Sequence, residues 1–507
     1  MEAPLNRRSP IVFAAALGFL AATSASRALA FEGYQVASPV VRDNLAVYFV
    51  HGRSAASPTP QTLDQALARG DVRIHESAER PVTIENLSGQ SVFIQLGTLI
   101  KGGLQDQVVA QDVILPPHSG LLPLSIFCVD PFRSTPRGDE DATTFTANGT
   151  LFPSRMARLT LLAAGADSKP MERLRQSGIW WSIDTARGAL AQAAGEALEP
   201  PQVPTWQSDV IADLRPQVLL GARQSSWRTS LPLALENQKL ATLLANYPDA
   251  FAAKADRRDV IGAVFVVNGK IEGAEIYQSH RLFGRMWPGL LRAYATQAIA
   301  AGGAATETLP PVSAVKASLA AAARGELRAD AAAGAPIVRD SDAAIFAEAR
   351  TAGGNVVHRS LVPKRIDAIA SPDALVASIL QAGTVDGRPL AGLDSDNVVV
   401  LSSAAPGTWS ATVAPSLSAA RIVNVSAQGA GAAFADSLRA QAAWHEAANR
   451  RAVTLWAVTP AAGVLAFLIV LILRRRAAIG RLVRRVAVTL ASSQGATLRP
   501  ASARTRR

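Results

Sequence analysis

The stretch IGAVFVVNGKIEGAEIYQSHRLF, residues 261–283, decides the fold. Two apolar runs flank Asn268-Gly269, a dipeptide that tolerates the left-handed backbone of a tight two-residue turn, so the segment reads as a β-hairpin. The sequence after it, MWPGLLRAYATQAIAA (286–301), has helical spacing. Upstream, MERLRQSGIWWSIDTARGALAQAAGEAL (171–198) and LPLALENQKLATLLANY (231–247) read as helices, with Pro201, Pro204 and Pro216 in the loop between them. Downstream, residues 302–335 carry weak signals, and IFAEARTAGGNVVHRSLV (345–362) reads as a second hairpin around Gly353-Gly354. Helices and hairpins alternating over 166–364 define an α+β part.

Before it, residues 31–165 are β-rich. LAVYFVHG (45–52), PVTIENLS (81–88), SVFIQLGTLI (91–100), QVVAQDVIL (107–115) and LLPLSIFCVD (121–130) mostly alternate with period two. Gly, Pro and Asn clusters separate them at about ten-residue spacing, the pattern of an antiparallel sandwich or barrel-like region. TLDQALARG (62–70) is the one helix there, with Gly70 placed as a C-cap. Residues 365–451 read as a small α/β juxtamembrane module: helix DALVASILQAG, strand NVVVLSS, strand ARIVNVSA and a final helix over 433–451.

The charge excess of the chain is confined to its ends. The 507 residues hold 51 Lys+Arg and 40 Asp+Glu, a net +11. Residues 474–507 hold ten Arg and no acid, and residues 1–30 hold three Arg against one Glu, which leaves the rest at −1. A nucleic-acid partner is therefore not expected. The single Cys excludes an internal disulfide framework and any multi-Cys metal site.

Residues 1–30 read as a signal peptide: Arg7-Arg8, the apolar run Ile11 to Ala22 and the cleavage box Ala28-Leu29-Ala30. Ala452 to Leu473 is 22 residues without a charge, long enough for a transmembrane helix. Arg474-Arg475-Arg476 follows as a stop-transfer cluster and marks the cytoplasmic side. The expected topology is a single-pass protein of the cytoplasmic (inner) membrane, with its ectodomain outside and a basic tail, 474–507, inside.

Several ordered segments resemble the ARPP-1 domain, named for its association with ADP-ribosylglycohydrolase and rhodanese-phosphatase proteins. They include TLDQALARGDVRIHE (62–76), VTIENLSGQSVFIQLGTLIKGGLQDQVVAQDVILPPHSG (82–120), QSGIWWSI (176–183), GAVFVVNGKIEGAEIYQSHRLFGRMWPGLLRAYATQAI (262–299) and VHRSLVPK (357–364). The resemblance spans about 31–364 and implies no defined activity. The family's glycine-glycine turn is usually followed by a Gln-Asp-Arg-like triplet; here the triplet is Gln105-Asp106-Gln107.

The candidate ligand-binding residues are Gly102, Gly103, Gln105, Asp106, His358 and Arg359. Paired glycines let a backbone turn with positive φ and let its amides approach a ligand, and Gln105 and Asp106 directly after them offer donors and acceptors. A plain hairpin turn is the competing explanation. No catalytic residue is assigned. Cys128 has no activating neighbour at motif spacing and reads as a buried thiol. The six His show no metal-ligand spacing, and no cofactor motif is present. Three readings remain open: a membrane-anchored extracytoplasmic module that binds a protein partner or small ligand, an extracytoplasmic hydrolase with a cleft near 101–107, and an envelope sensor signalling through a separate partner.

Overall fold

In the computed structural model the described residues are 33–415, except 78–79, 131–132, 134–135, 137–139, 148, 164–168, 196–229, 304–307, 329–335, 394–396 and 406–407. The signal peptide, the span Ala452 to Leu473, the basic tail and the segments 420–427 and 433–451 lie outside them. Among the described residues no helix is long and apolar enough to cross a membrane.

The hairpin of the opening stretch forms the middle of a nine-stranded antiparallel sheet. Strands Val260–Val267 and Lys270–Tyr277 pair across Asn268 (φ +47°) and Gly269 (φ +71°), the two left-handed residues that the turn requires. Leu45–His51 pairs on one side, with Gln35–Val36 and Val40–Arg42 on its outer edge. Val356–Pro363, Ala344–Arg350, Ile337–Asp340 and Glu326–Leu327 follow on the other side. The sheet thus draws its strands from both sides of residue 165.

Its inner strands are apolar on both faces because both faces are covered. The helix His280–Ala301 buries Leu282, Phe283, Leu290, Leu291 and Tyr294 against Leu45, Val47, Phe49, Phe265 and Tyr277. The helix Val312–Ala323 buries Val315, Leu319 and Ala322 against Tyr48, Val264, Val266 and Phe346. The other β-rich segments between residues 61 and 146 fold as three small sheets, antiparallel apart from one parallel pairing of Gln61–Thr62 with Val92–Ile94.

Four expectations need correction. The strand of the opening stretch ends at Tyr277, and the helix begins at His280, six residues before 286. The cause is Ser279, an N-cap whose hydroxyl accepts from the Leu282 amide. The segment 231–247 is not one helix but Leu231–Leu235 and Gln238–Leu244, with Tyr247–Ala255 following. Asn237 caps the second by accepting from the Lys239 and Leu240 amides. The weakly signalled 302–335 contains the Ala-rich helix Val312–Ala323, entered at Pro311. Leu63–Arg69, with Gly70 as a left-handed C-cap, and Lys169–Ala193 form as expected, but Leu63–Arg69 is not the one helix before residue 165: Arg155–Leu161 also forms, capped by the Ser154 hydroxyl accepting from the Ala157 amide. The helix Pro372–Ala382 buries Leu375, Val376 and Ile379 with Met171 and Leu174 of the long helix.

Candidate functional site

The glycine turn is wrapped around an arginine. Gly102 (φ +124°) and Gly103 (φ +58°) both adopt backbone that side-chain-bearing residues rarely take. A Cβ on Gly102 would lie 2.2 Å from the Thr144 carbonyl oxygen, and one on Gly103 would lie 2.2 Å from Glu76 Oε2. Arg133 donates from Nη1 to the Gly103 carbonyl (2.8 Å) and from Nη2 to the Gly102 carbonyl (3.1 Å). The same guanidinium pairs with Asp106 Oδ1 at 2.6 Å and with Asp130 Oδ2 at 2.9 Å. Asp106, fully buried, also accepts from the Gly102 amide (3.0 Å) and from the Ser230 hydroxyl. Gln105 is half-buried and donates to the Arg133 carbonyl.

Glu76 closes the other side of this turn. Its carboxylate accepts from the Leu104 amide and from Gln107 Nε2, each at 2.7 Å. Burial holds its pKa above the ordinary carboxylate value, against the opposing pull of those two hydrogen bonds and of Arg133. Cys128 sits beside this group. Burial, with help from Glu76 and Asp130, pushes its thiol up to about 12, so it stays protonated.

His358 lies elsewhere, in the core beneath the sheet. Its Nδ1 is 2.7 Å from Asp112 Oδ2 and its Nε2 is 3.0 Å from Glu275 Oε2, with all three side chains buried. Burial by itself would lower the imidazole pKa, but the two carboxylates together more than reverse this and raise it to about 9. The ring stacks on Tyr277, 4.6 Å between centroids. Tyr277 donates to Gln95 Oε1 (2.6 Å), and Gln95 Nε2 donates back to Glu275 Oε2 (3.1 Å). Arg158 pairs with Glu275 Oε1 at 3.2 Å and contacts the Tyr294 hydroxyl. Two carboxylates are thereby matched by an imidazolium and a guanidinium in a closed, buried network.

A β-bulge makes this arrangement reachable. Residues three apart on a regular strand face opposite ways. In the hairpin register Phe265 pairs with Gly273 and Val266 with Ile271, which leaves Glu272 as an extra residue. Glu272 and Glu275 can then both meet the short helix Arg155–Leu161: Arg155 Nε bonds Glu272 Oε2 at 3.0 Å, and Arg158 takes Glu275. Gly273 lies between them, where a Cβ would come 2.2 Å from the Tyr294 hydroxyl and 2.9 Å from Arg158 Nη1.

Arg359 adjoins His358 on the strand Val356–Pro363 and so faces the opposite way. It lines a cavity of about 330 Å³ together with Tyr34, Arg53, Ser54, Tyr277 and Asn355. Arg359 Nε bonds Glu348 Oε2 and its Nη1 bonds the Tyr34 hydroxyl, both at 2.6 Å.

The nominated residues therefore fall in two places. Gly102, Gly103, Gln105 and Asp106 converge on Arg133, while His358 and Arg359 stand back to back with no partner in common with them. Sequence reasoning missed Glu275, Asp112, Arg158 and Gln95. One usable signal was present: two acids, Glu272 and Glu275, within a strand otherwise fit for a core. Among the described residues no cluster of three or more His, Cys, Asp or Glu is set to hold a metal ion.

Fold and sites define an α+β domain in which two sets of buried charged groups are paired with one another. The model of the ARG and Rhodanese-Phosphatase-superfamily-associated Protein domain, ARPP-1, matches residues 33–362, and the chain belongs to that family. Comparison with curated proteins and with solved structures finds no match.

Proposed function

We propose that this protein is a membrane-anchored extracytoplasmic binding module, tethered by Ala452 to Leu473, whose ARPP-1 domain receives a ligand in the cavity beside Arg359. The observation that carries the binding reading is the contrast between the sites. Asp106, His358 and Cys128 are each held by buried partners or kept neutral, whereas Arg359 lines open volume. The membrane reading is supported by the uncharged 22-residue run followed by ten arginines. Cell fractionation tests it: the full chain should sediment with membranes and be cut by protease added from outside. Removal of residues 452–507 should release a soluble, secreted form, and cytoplasmic retention of that form would overturn the topology.

A hydrolase acting at 101–107 is the second reading. It is favoured by Glu76, whose raised pKa is the state a general acid needs. On that reading Glu76→Gln abolishes a hydrolytic activity with little loss of thermal stability; on the binding reading it does not.

A further inference from the structure

The cavity beside Arg359 has a chemical character that its lining makes explicit. Its charged lining residues are Arg53 and Arg359, and no carboxylate lines it. Glu348, behind it, divides one negative charge between two guanidiniums, Arg359 at 2.6 Å and Arg350 at 2.6 Å. Arg53 is exposed and makes no hydrogen bond or ion pair with the described residues. The local balance is therefore positive. A cation or metal ion finds no anionic ligand there and meets two guanidiniums, while an anion finds donors of the kind that bind carboxylate and phosphate best.

The position of the Arg359 guanidinium is set in advance. Glu348 fixes it through Nε and Tyr34 through Nη1, and Nη2 has no partner among the described residues. A preorganised group loses little freedom when a ligand arrives. Ile261, Ile276 and Val356 form an apolar wall, and Ser54, Ser57, Gln278 and Asn355 add neutral polar groups. Gly52 makes room for that wall, since a Cβ there would lie 2.5 Å from Ile261 Cδ1 and 3.0 Å from the Tyr34 ring. A volume of about 330 Å³ is room for about ten water-sized groups.

We infer that the ligand is a small organic anion, a carboxylate or phosphate ester on a compact apolar body, with Arg53 and Arg359 receiving its charge. The inference rests on the reading of this cavity as the binding seat. Neither arginine is a member of the buried networks around Arg133 or His358.

The test uses the purified full-length chain and four probes: benzoate, phenyl phosphate, neutral benzamide and cationic benzylamine. Binding is followed by saturation-transfer NMR and calorimetry at millimolar concentration. At least one anion should bind, and the stronger of the two identifies carboxylate or phosphate as the natural group. Benzamide should bind at least about tenfold more weakly, and benzylamine not at all. Arg53→Gln should weaken the anion about tenfold with unchanged Tm, because that side chain supports nothing in the fold. Arg359→Gln should do the same, but its loss also unpairs Glu348, so Arg53→Gln is the deciding variant. Ala55→Trp, at an exposed lining position, should block all binding. Equal binding of benzamide and benzoate, unaffected by Arg53→Gln, overturns the anion inference; if Ala55→Trp still blocks it, the cavity remains the seat. Absence of binding by both anions, or binding indifferent to Ala55→Trp, overturns the inference and the cavity's role together.

Discussion

Replacing His358 by Gln removes one positive charge from between Asp112 and Glu275 while keeping a side chain of similar reach. In the native network the imidazolium and Arg158 balance those two carboxylates; in the variant one negative charge is left uncompensated in a fully buried place. The magnitude follows from linkage. The pKa of His358 rises from 6.5 to about 9 on folding, which at about 1.4 kcal/mol for each pH unit corresponds to about 3 kcal/mol. The folded pKa lies above the unfolded one, so this contribution is complete below about pH 6.5, shrinks as pH rises and is gone above about pH 9. Urea denaturation of wild type and His358→Gln side by side cancels the titrating groups that lie outside this network. The variant should be about 3 kcal/mol less stable at about pH 6, and most of that gap should close by about pH 9.5. A gap that stays constant over this range would refute the claim that a charged His358 neutralises the pair.

Three other outcomes are expected. Gly273→Ala should lower stability by about 1–3 kcal/mol, read as a fall in Tm, because its Cβ would meet the Tyr294 hydroxyl and Arg158; an unchanged Tm would show that the bulge yields easily. Asp106→Asn should destabilise by about 3–5 kcal/mol by leaving Arg133 with one fewer buried anion, whereas Gln105→Ala should cost under about 1 kcal/mol; equal effects in denaturant titrations would count against the ranking. Cys128 should resist iodoacetamide at neutral pH until the chain unfolds, since its thiol is held up to about 12; alkylation of the native protein at the rate of a free thiol would contradict this.

The secondary structure was largely readable because it is written locally. Asn268-Gly269 places the central hairpin, Gly70 ends its helix, and the alternation in 345–362 produces the pair of strands beside that hairpin. The errors fall where a single polar residue decides a boundary: Ser279 starts a helix inside what looks like strand, and Asn237 divides one apolar run in two. The candidate sites were read only in part. The turn at 102–106 could be nominated from its glycines, but Arg133, 27 residues beyond Asp106, has no local mark of its role. His358 could be noticed, yet Asp112 lies 246 residues before it and Glu275 lies 83 before it. Pairings at such separations are created by sheet order, which a one-dimensional pattern does not contain. Nor does sequence distinguish His358, sealed in the core, from its neighbour Arg359, which opens on a cavity.

The bulge at Glu272 gives the central hairpin a phase. Without that one residue, the strand before it would keep its pairing while Ala274, Glu275, Ile276 and Tyr277 exchanged faces. Glu275 would turn away from Arg158 and His358, and Tyr277 away from Gln95. Arg155 and Arg158 would then lose their carboxylates, and His358 would keep Asp112 alone. The extra residue and the charges it aligns therefore stand or fall together. A descendant that deletes residue 272 must replace the whole buried network with apolar side chains at the same step, or lose the fold. Length changes in this chain belong instead at turns such as Gly353-Gly354, where no downstream strand depends on the count.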